Sequence, residues 1–349
     1  MNSIGGNTIL LQFARGGLRG AVVAESRDKY LLLSHTRAEL HDVVHCAGLL
    51  RAIKGAGEID MDKLPIPEYD EVPLEAIASG LTGLRILFVN IFAITNPQGG
   101  WVLVDTGIPY SAGRIRKWIG SLFGHGARPL AIIQTHGHFD HTGALEDLGK
   151  YWDVPIYAHR DEIPYLSGRE NYPPPNTSAG GGLMTWMSPL FPREPVDVRQ
   201  WLRELEPDGR IPELPEWRWI HTPGHTEGHI SLFREGDRAL IVGDAFCTTK
   251  SESFFAVAKQ EPELHGPPAY YTTDWDRARG SVRKLADLKP AILAPGHGLP
   301  MAAPEAENAL RTLARDFDRI ARPSDETRPD TKPPQSPESG EPIESRFPS

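Results

Sequence analysis

Four apolar runs of β character in this chain end on the same kinds of residue, and that recurrence limits what the chain can fold into. Leu130-Ala-Ile-Ile-Gln134 leads into Thr135-His136-Gly-His138-Phe-Asp140-His141, and Trp217-Arg-Trp-Ile-His221 leads into Thr222-Pro-Gly-His225. The run from Leu240 to Val242 leads into Gly243-Asp244, and Ala291-Ile-Leu-Ala294 into Pro295-Gly-His297-Gly298. In layered α/β folds such strand ends are where functional groups gather. The histidine cluster is the densest: three imidazoles and a carboxylate within six positions. In extended backbone, side chains two apart point the same way, so His136 and His138 can close on one ion. Asp140 and His141 follow where the chain must turn, because Thr142-Gly143 opens a helical pattern, and they are free to face a second ion. A lone histidine here would read as a polar surface loop. Four ligand types at this spacing read as metal binding instead.

Seven candidate ligands (His136, His138, Asp140, His141, His225, Asp244 and His297) suit two metals. Three imidazoles for one ion, two imidazoles and a carboxylate for the other, and one bridging carboxylate leave a position open for water. Nitrogen and oxygen donors without thiolate fit two Zn2+, and iron or manganese can occupy the same set, because geometry and supply decide occupancy as much as affinity does.

A chain of 349 residues, 40% of them hydrophobic, holds one large or two ordinary domains with a sizeable core. Its net charge of -9 comes from scattered acids. A nucleic-acid footprint needs a basic face, so nucleic acid is excluded as a partner. No apolar run approaches the ~20 residues that span a bilayer, and the early Thr8-to-Phe13 segment is too short and poorly flanked for a secretory signal. These features predict a cytoplasmic protein without a membrane partner, acting on a small molecule; they leave its oligomeric state open. Cys46 and Cys247 stand far apart without CxxC spacing, so neither a disulfide framework nor a thiolate zinc site is implied.

Residues 1–60 read as an N-terminal extension of uncertain structure, with turns around Gly16-Gly17 and a helix near Ala38 to Ile53. His35, His41 and His45 lie at irregular helical spacing without carboxylate support, and their expected role is surface or packing. Met61 opens a Pro-rich acidic leader, Pro65 to Pro73, and is a candidate start that N-terminal sequencing from Met1 would exclude. Residues 61–321 read as one domain that carries all the ligand motifs. Leu84 to Ile94 and Trp101 to Asp105 pair as a hairpin around the Asn96–Gly100 turn. Ser111 caps a helix with Ile115, Trp118, Ile119 and Leu122 on one face. A short helix from Gly143 to Lys150 and a strand from Pro155 to Ala158 follow, and this alternation predicts an α/β domain with helices packed on sheet faces. Two apolar, turn-rich stretches, 161–215 and 254–271, read as insertions, the first folded over a pocket or packed on its own domain. A helix capped near Asp274 carries Val282, Leu285 and Leu288. The last begins near Pro304 with Leu310, Leu313, Phe317 and Ile320. Residues 322–349 lack the apolar content to offset chain entropy and are expected to be disordered.

Taken in order, His136-Gly-His138-Phe-Asp140-His141, Thr222-Pro-Gly-His225-Thr, Gly243-Asp244 and Pro295-Gly-His297-Gly resemble the metal-binding signature of the metallo-β-lactamase-fold hydrolases, over roughly Leu84 to Ile320. The resemblance implies an αββα four-layer sandwich, here with two loop-rich insertions, and a dinuclear site at one edge between the sheets. It assigns His136, His138 and His225 to the first metal, Asp140, His141 and His297 to the second, and Asp244 to the bridge. Asp105 matches the acidic position that steadies the histidine loop.

Two divalent ions sharing a water lower its pKa from ~15.7 towards ~7, so hydroxide is available at neutral pH, and Asp140 is the catalytic residue expected to orient it. The resemblance then implies attack on a carbonyl carbon and hydrolysis of a small, partly apolar ester, lactone or thioester. Lactonases of the family carry a tyrosine shortly after the bridging aspartate; Ala245-Phe246-Cys247 offers none. Tyr270, Tyr271 and His265 are expected to pack rather than react. His221 and His229 read as supporting residues, and His159 reads as more structural than pocket-facing. A glyoxalase II-like thioesterase is disfavoured because one helix and an acidic tail, not a basic helical domain, follow His297. A mononuclear iron persulfide dioxygenase-like oxidoreductase stays open as another class, although it would leave Asp140 and His297 without a metal. A di-iron reductase would require a flavin domain.

Overall fold

The computed structural model describes residues 9–13, 19–26, 29–36, 71–177, 179, 185, 188, 196–249 and 263–323. The early strands β1 (Ile9–Phe13), β2 (Arg19–Ser26) and β3 (Lys29–Thr36) form an antiparallel meander of their own. The turn at Gly16-Gly17, the helix expected near residues 38–53, Met61 and residues 324–349 lie outside the described residues.

The next strands are β4 (Glu71–Ala78), β5 (Leu81–Ile86), β6 (Val89–Thr95) and β7 (Trp101–Val104). After helix α1 (Ala112–Phe123) come β8 (Ala131–Ile133), α2 (Phe139–Thr142), α3 (Leu145–Trp152), β9 (Ile156–Ala158), α4 (Ile163–Leu166) and β10 (Leu202–Glu204). These strands build a seven-stranded sheet in the order β10-β9-β8-β7-β6-β5-β4. Its β7 to β10 half is parallel and its β4 to β7 half antiparallel. The second sheet comprises β11 (Trp217–His221), β12 (Ile230–Arg234), β13 (Ala239–Gly243), β14 (Ile292–Pro295) and β15 (Met301–Ala302), in sequence order. Helices α5 (Trp275–Asp287), α6 (Glu305–Arg315) and α7 (Phe317–Ile320) belong to this half.

Side-chain alternation along the strands sorts the core into three layers, because successive residues face opposite sides of a sheet. Val102, Val104 and Ile133 point inward and meet Leu232, Ile241 and Ala294 of the second sheet. Their neighbours Leu103 and Ile132 point outward, onto Ile115, Trp118, Leu145 and Leu148 of α1 and α3. On the far side Phe233, Leu240 and Leu293 pack on Val282, Leu285, Leu310 and Leu313 of α5 and α6. Both sheets are therefore apolar on both faces, and the described core is an αββα sandwich.

Several sequence expectations are corrected. The run from Leu84 to Ile94 is two strands, not one, reversed at Leu87-Phe88, where Leu87 takes a φ of 58°. No turn residue marks this reversal; the Phe88 carbonyl accepts a bond from His297 Nδ1 at 2.8 Å, and its ring stacks on that imidazole. The end of the acidic leader, Glu71 to Pro73, belongs to β4, an edge strand that tolerates Pro73 because one side of an edge needs no donor. Leu122 is exposed rather than buried on α1. Ser111 precedes that helix but makes no side-chain cap; its hydroxyl donates to the Ile108 carbonyl at 2.7 Å. Asp274 does cap α5, accepting from Arg277 N at 2.9 Å. The first expected insertion also contributes regular structure, since β10 extends the sheet in parallel with β9.

Candidate metal centre

At one edge of the sandwich the carboxyl ends of β7, β8, β13 and β14 come together. Backbone bonds join the two sheets there: Ile230 N donates to Thr135 O at 3.0 Å, and Asn90 N to Gly296 O at 2.8 Å. The Asn90 amide also donates to the carbonyls of Pro295 and Gly298, at 2.9 and 2.7 Å, which fixes the loop carrying His297. All seven predicted ligands lie at this edge, and all are buried.

Their donor atoms form three overlapping groups, each within 4.8 Å: His136, His138 and His225; His136, His141 and Asp244; Asp140, His141 and His297. His138 Nδ1 lies 2.9 Å from His225 Nε2. Asp244 sits between the sets, with Oδ1 3.4 Å from His141 Nε2 and Oδ2 3.6 Å from His225 Nε2 and 3.1 Å from His297 Nε2. Asp140 Oδ2 is 3.4 Å from His297 Nε2. Ligand atoms on one tetrahedral zinc stand about 3.4 Å apart.

Four of the five imidazoles are oriented through their other nitrogen. Thr135 Oγ1 donates to Asp105 Oδ2 at 2.8 Å, so it accepts from His136 Nδ1 at 3.0 Å and turns His136 Nε2 inward. His141 Nδ1 donates to the same Asp105 oxygen at 2.8 Å. Thr272 Oγ1 donates to Pro268 O, so it accepts from His225 Nδ1 at 3.3 Å, and His297 Nδ1 donates to Phe88 O. Such partners fix tautomer and ring direction. Asp105 itself adopts a φ of 61°, a left-handed conformation that Asp tolerates better than most residues, and this kink after β7 brings its carboxylate under the histidine loop. His229 supports the opposite side: its Nε2 accepts from Asp244 N at 2.8 Å while its Nδ1 faces Thr222 Oγ1 at 2.8 Å. Gly296 allows the close approach of its loop, since a Cβ there would lie 2.2 Å from Asp244 Oδ1.

Electrostatics divides the ligands. Burial holds His136 and His225 well below the usual imidazole range and His138 at about 4, so all three are neutral with lone pairs available at pH 7. Burial would lower His297 too, but Asp244 and Asp140 outweigh it and push it up to about 10. Burial would raise Asp244, yet His297 and His141 hold it well below the usual carboxylate range. Two buried acids thus demand positive charge at this spot. His136 Nε2, His141 Nε2 and Asp244 Oδ1 meet no hydrogen-bond partner among the described residues. An unsatisfied buried polar atom costs about 1–3 kcal/mol, so three aimed at one another fit a cation.

Glu162, which sequence reasoning passed over, ties the two histidine loops together. Its buried Oε2 accepts from Gly137 N at 3.0 Å and from the Tyr172 hydroxyl, and its Oε1 accepts from Thr226 Oγ1 at 2.5 Å and Gly228 N at 3.1 Å. A Cβ on Gly228 would lie 2.8 Å from the Glu162 side chain, so glycine is needed for this approach. Burial raises Glu162 despite those four donors. Its only sequence signal was an acid in the stretch after β9, with no motif around it. Tyr172 and Tyr271, one from each expected insertion, lie against the His138 ring with centroids at 4.5 and 4.6 Å.

The profile of the metallo-beta-lactamase superfamily matches residues 84–297, more than half of the chain, and the chain belongs to that superfamily. It is a metal-dependent hydrolase by that membership. The chain is 46% identical over 245 residues to the probable metallo-hydrolase YflN of Bacillus subtilis (strain 168), a match covering 70% of this chain and 93% of the relative. A second protein of that organism, the probable metallo-hydrolase YybB, is 29% identical over 197 residues, covering 56% and 74%. Among solved structures, the Rm3 metallo-beta-lactamase is 22% identical, with 72% of this chain and 88% of that one covered and a TM-score of 0.48. Among the described residues no helix is long and apolar enough to cross a membrane.

Proposed function

We propose that the chain is a dinuclear zinc hydrolase of a small, partly apolar ester, lactone or thioester. The observation that carries this reading is the series of three donor groups at one sandwich edge, linked through His136 and His141, with Asp244 in the middle group. His136, His138 and His225 would hold one ion, Asp140, His141 and His297 the other, with Asp244 between them. Bound there, two divalent ions act as Lewis acids and bring the pKa of water from ~15.7 down towards ~7.

The chain's own residues do the rest. Asp140, whose carboxyl burial would raise but His141 and His297 hold low, stays anionic and orients the attacking water through its proton. Asp105, Thr135, Thr272 and the Phe88 carbonyl keep the imidazoles aimed, so little reorganisation accompanies reaction. Tyr172, Tyr271 and Phe88 surround the histidines with aromatic surface, which suits an acyl compound with an apolar body. A mononuclear iron oxidase would use His136, His138 and His225 and leave the Asp140, His141, His297 group idle; that complete second group favours two ions.

The test has two parts. Protein purified without added metal should contain two zinc ions in the centre and turn over at least one ester, lactone or thioester in a panel. One iron with oxygen consumption on a persulfide would replace this reading with the oxidase.

A further inference from the structure

A second group of ligand-type side chains lies outside the centre. His159 directly follows β9 and precedes the 3-10 turn Arg160–Glu162, Asp161 is in that turn, and His221 ends β11. Their donor atoms fall within 4.8 Å of one another. None belongs to the donor groups of the main centre, so His159 faces this outer cluster rather than those ligands.

The donor atoms lie within reach of one ion. His221 Nε2 lies 2.8 Å from the Glu227 carbonyl, which only accepts, so Nε2 carries the proton and Nδ1 keeps its lone pair. A backbone carbonyl holding one ring nitrogen is the usual support for a ligating histidine. His159 Nδ1 accepts a long 3.3 Å bond from Asp161 N and lies 3.5 Å from Asp161 Oδ2. That separation matches the ~3.4 Å between ligand atoms on a tetrahedral zinc. The two rings stack with centroids 4.2 Å apart and planes 16° from parallel, so sharing an ion requires one imidazole to swing out of the stack, and Trp219 packs edge-on against His159 at 5.6 Å. Arg160, the adjacent cation, pairs with Glu204 at 3.3 Å, which leaves the Asp161 carboxylate facing the imidazole. Burial, then the His221 ring, lowers His159 to about 4, so it is uncharged at neutral pH, as a ligand must be.

We propose that His159, Asp161 and His221 form a further site for a divalent cation of zinc type, which pins the end of β9 in the first sheet to the end of β11 in the second. Two nitrogens and one oxygen leave a fourth position to solvent. His159 is buried, but Asp161 and His221 reach the surface, so this ion exchanges readily and binds more weakly than ions at the fully buried centre. The site also has a place in the wider architecture. Asp161 adjoins Glu162, and Glu227, whose carbonyl fixes His221, adjoins Gly228, which donates to Glu162. An ion here braces the turn from which Glu162 holds both histidine loops.

The experiment uses the full chain with its resident ions, dialysed against a series of buffered free Zn2+ concentrations and analysed for metal content. Wild-type protein should take up one more zinc per chain than His221→Ala, and Asp161→Asn should weaken that last ion by at least about tenfold. Asp161 is half exposed, so this variant folds whether or not the His221 change is tolerated; thermal melting checks both. The melting temperature of wild-type protein should rise with free Zn2+ in the range where the last ion binds, and that of Asp161→Asn should not. Equal zinc content and equal melting response in wild-type and both variants would overturn the proposal and leave a stacked pair of imidazoles at a sheet edge. The difference of one ion is read whatever the main centre holds, so failure of the dinuclear reading is seen separately.

Discussion

The main centre and the outer cluster are built from the same residue types at the same edge region, yet they differ in how their donors are held. In the centre all seven side chains are buried, and four imidazoles are aimed by a partner on the opposite nitrogen. In the outer cluster only His159 is buried, and only His221 has a strong partner behind it. The difference teaches that ligand-type residues become a centre through what stands behind them. Asp105, Thr135, Thr272, His229 and Glu162 contribute no donor to the group, yet they convert seven flexible side chains into a fixed cage.

The largest effect should come from removing a donor of the centre itself. Asp244→Ala or His138→Ala should lower the metal content of the centre and cut turnover by more than the roughly 10–100-fold typical of losing an outer partner. Circular dichroism should show the fold kept, because the apolar layers lie away from the ligand loops. Unchanged kcat and metal content in either variant would break the distinction between the two clusters.

Next in size are the supports. Asp105→Asn and Glu162→Gln should each reduce metal affinity or kcat/KM by roughly 10–100-fold. Competition with a chelator reads the affinity directly. A Glu162→Gln enzyme with wild-type affinity would mean that the loops are held by their own backbone bonds alone.

A third prediction concerns pH. His297 sits at about 10 because Asp244 and Asp140 overcome the effect of burial, so at pH 7 it carries a proton that it must release to ligate. Affinity for metal should therefore rise with pH between 7 and 10, by up to about tenfold per unit for this one proton. In the metal-free protein the sign is opposite. A histidine raised above its unfolded value of 6.5 adds stability that is fully present below pH 6.5 and lost as pH rises through 10. Calorimetry in buffers of different ionisation enthalpy measures the proton released. The smallest expected change is Phe88→Ala, which removes a ring stacked on His297 but keeps the carbonyl that orients it. KM should rise by about tenfold or less, the range of one lost apolar contact, with metal content unchanged.

The architecture was legible where periodicity and punctuation agree. The strands that deliver Thr135, His221, Gly243 and Pro295 are short apolar runs closed by glycine or proline, and the helices after Asp274 and Pro304 carry clear apolar stripes. The reversal at Leu87-Phe88 was not legible, because two apolar residues occupy a turn whose stabilising bond comes from His297, 209 positions away. The edge strand with Pro73 was hidden by a proline that an edge permits. Site residues whose chemistry lies in their own side chains stood out by type and spacing. Glu162 did not, since its role arises from four donors on three separate segments that no local pattern records. His159 and His221 were invisible as a pair for the same reason, lying 62 positions apart until two sheet edges bring their rings to 4.2 Å.

The central claim is that two cations occupy the edge of the sandwich, with Asp244 between them. Anomalous diffraction at the zinc edge, from crystals of protein grown without added metal, tests it most directly. Two peaks should appear, one among His136, His138 and His225 and one among Asp140, His141 and His297. A single peak confined to the first three histidines, or none at either place in fully active protein, would contradict the account.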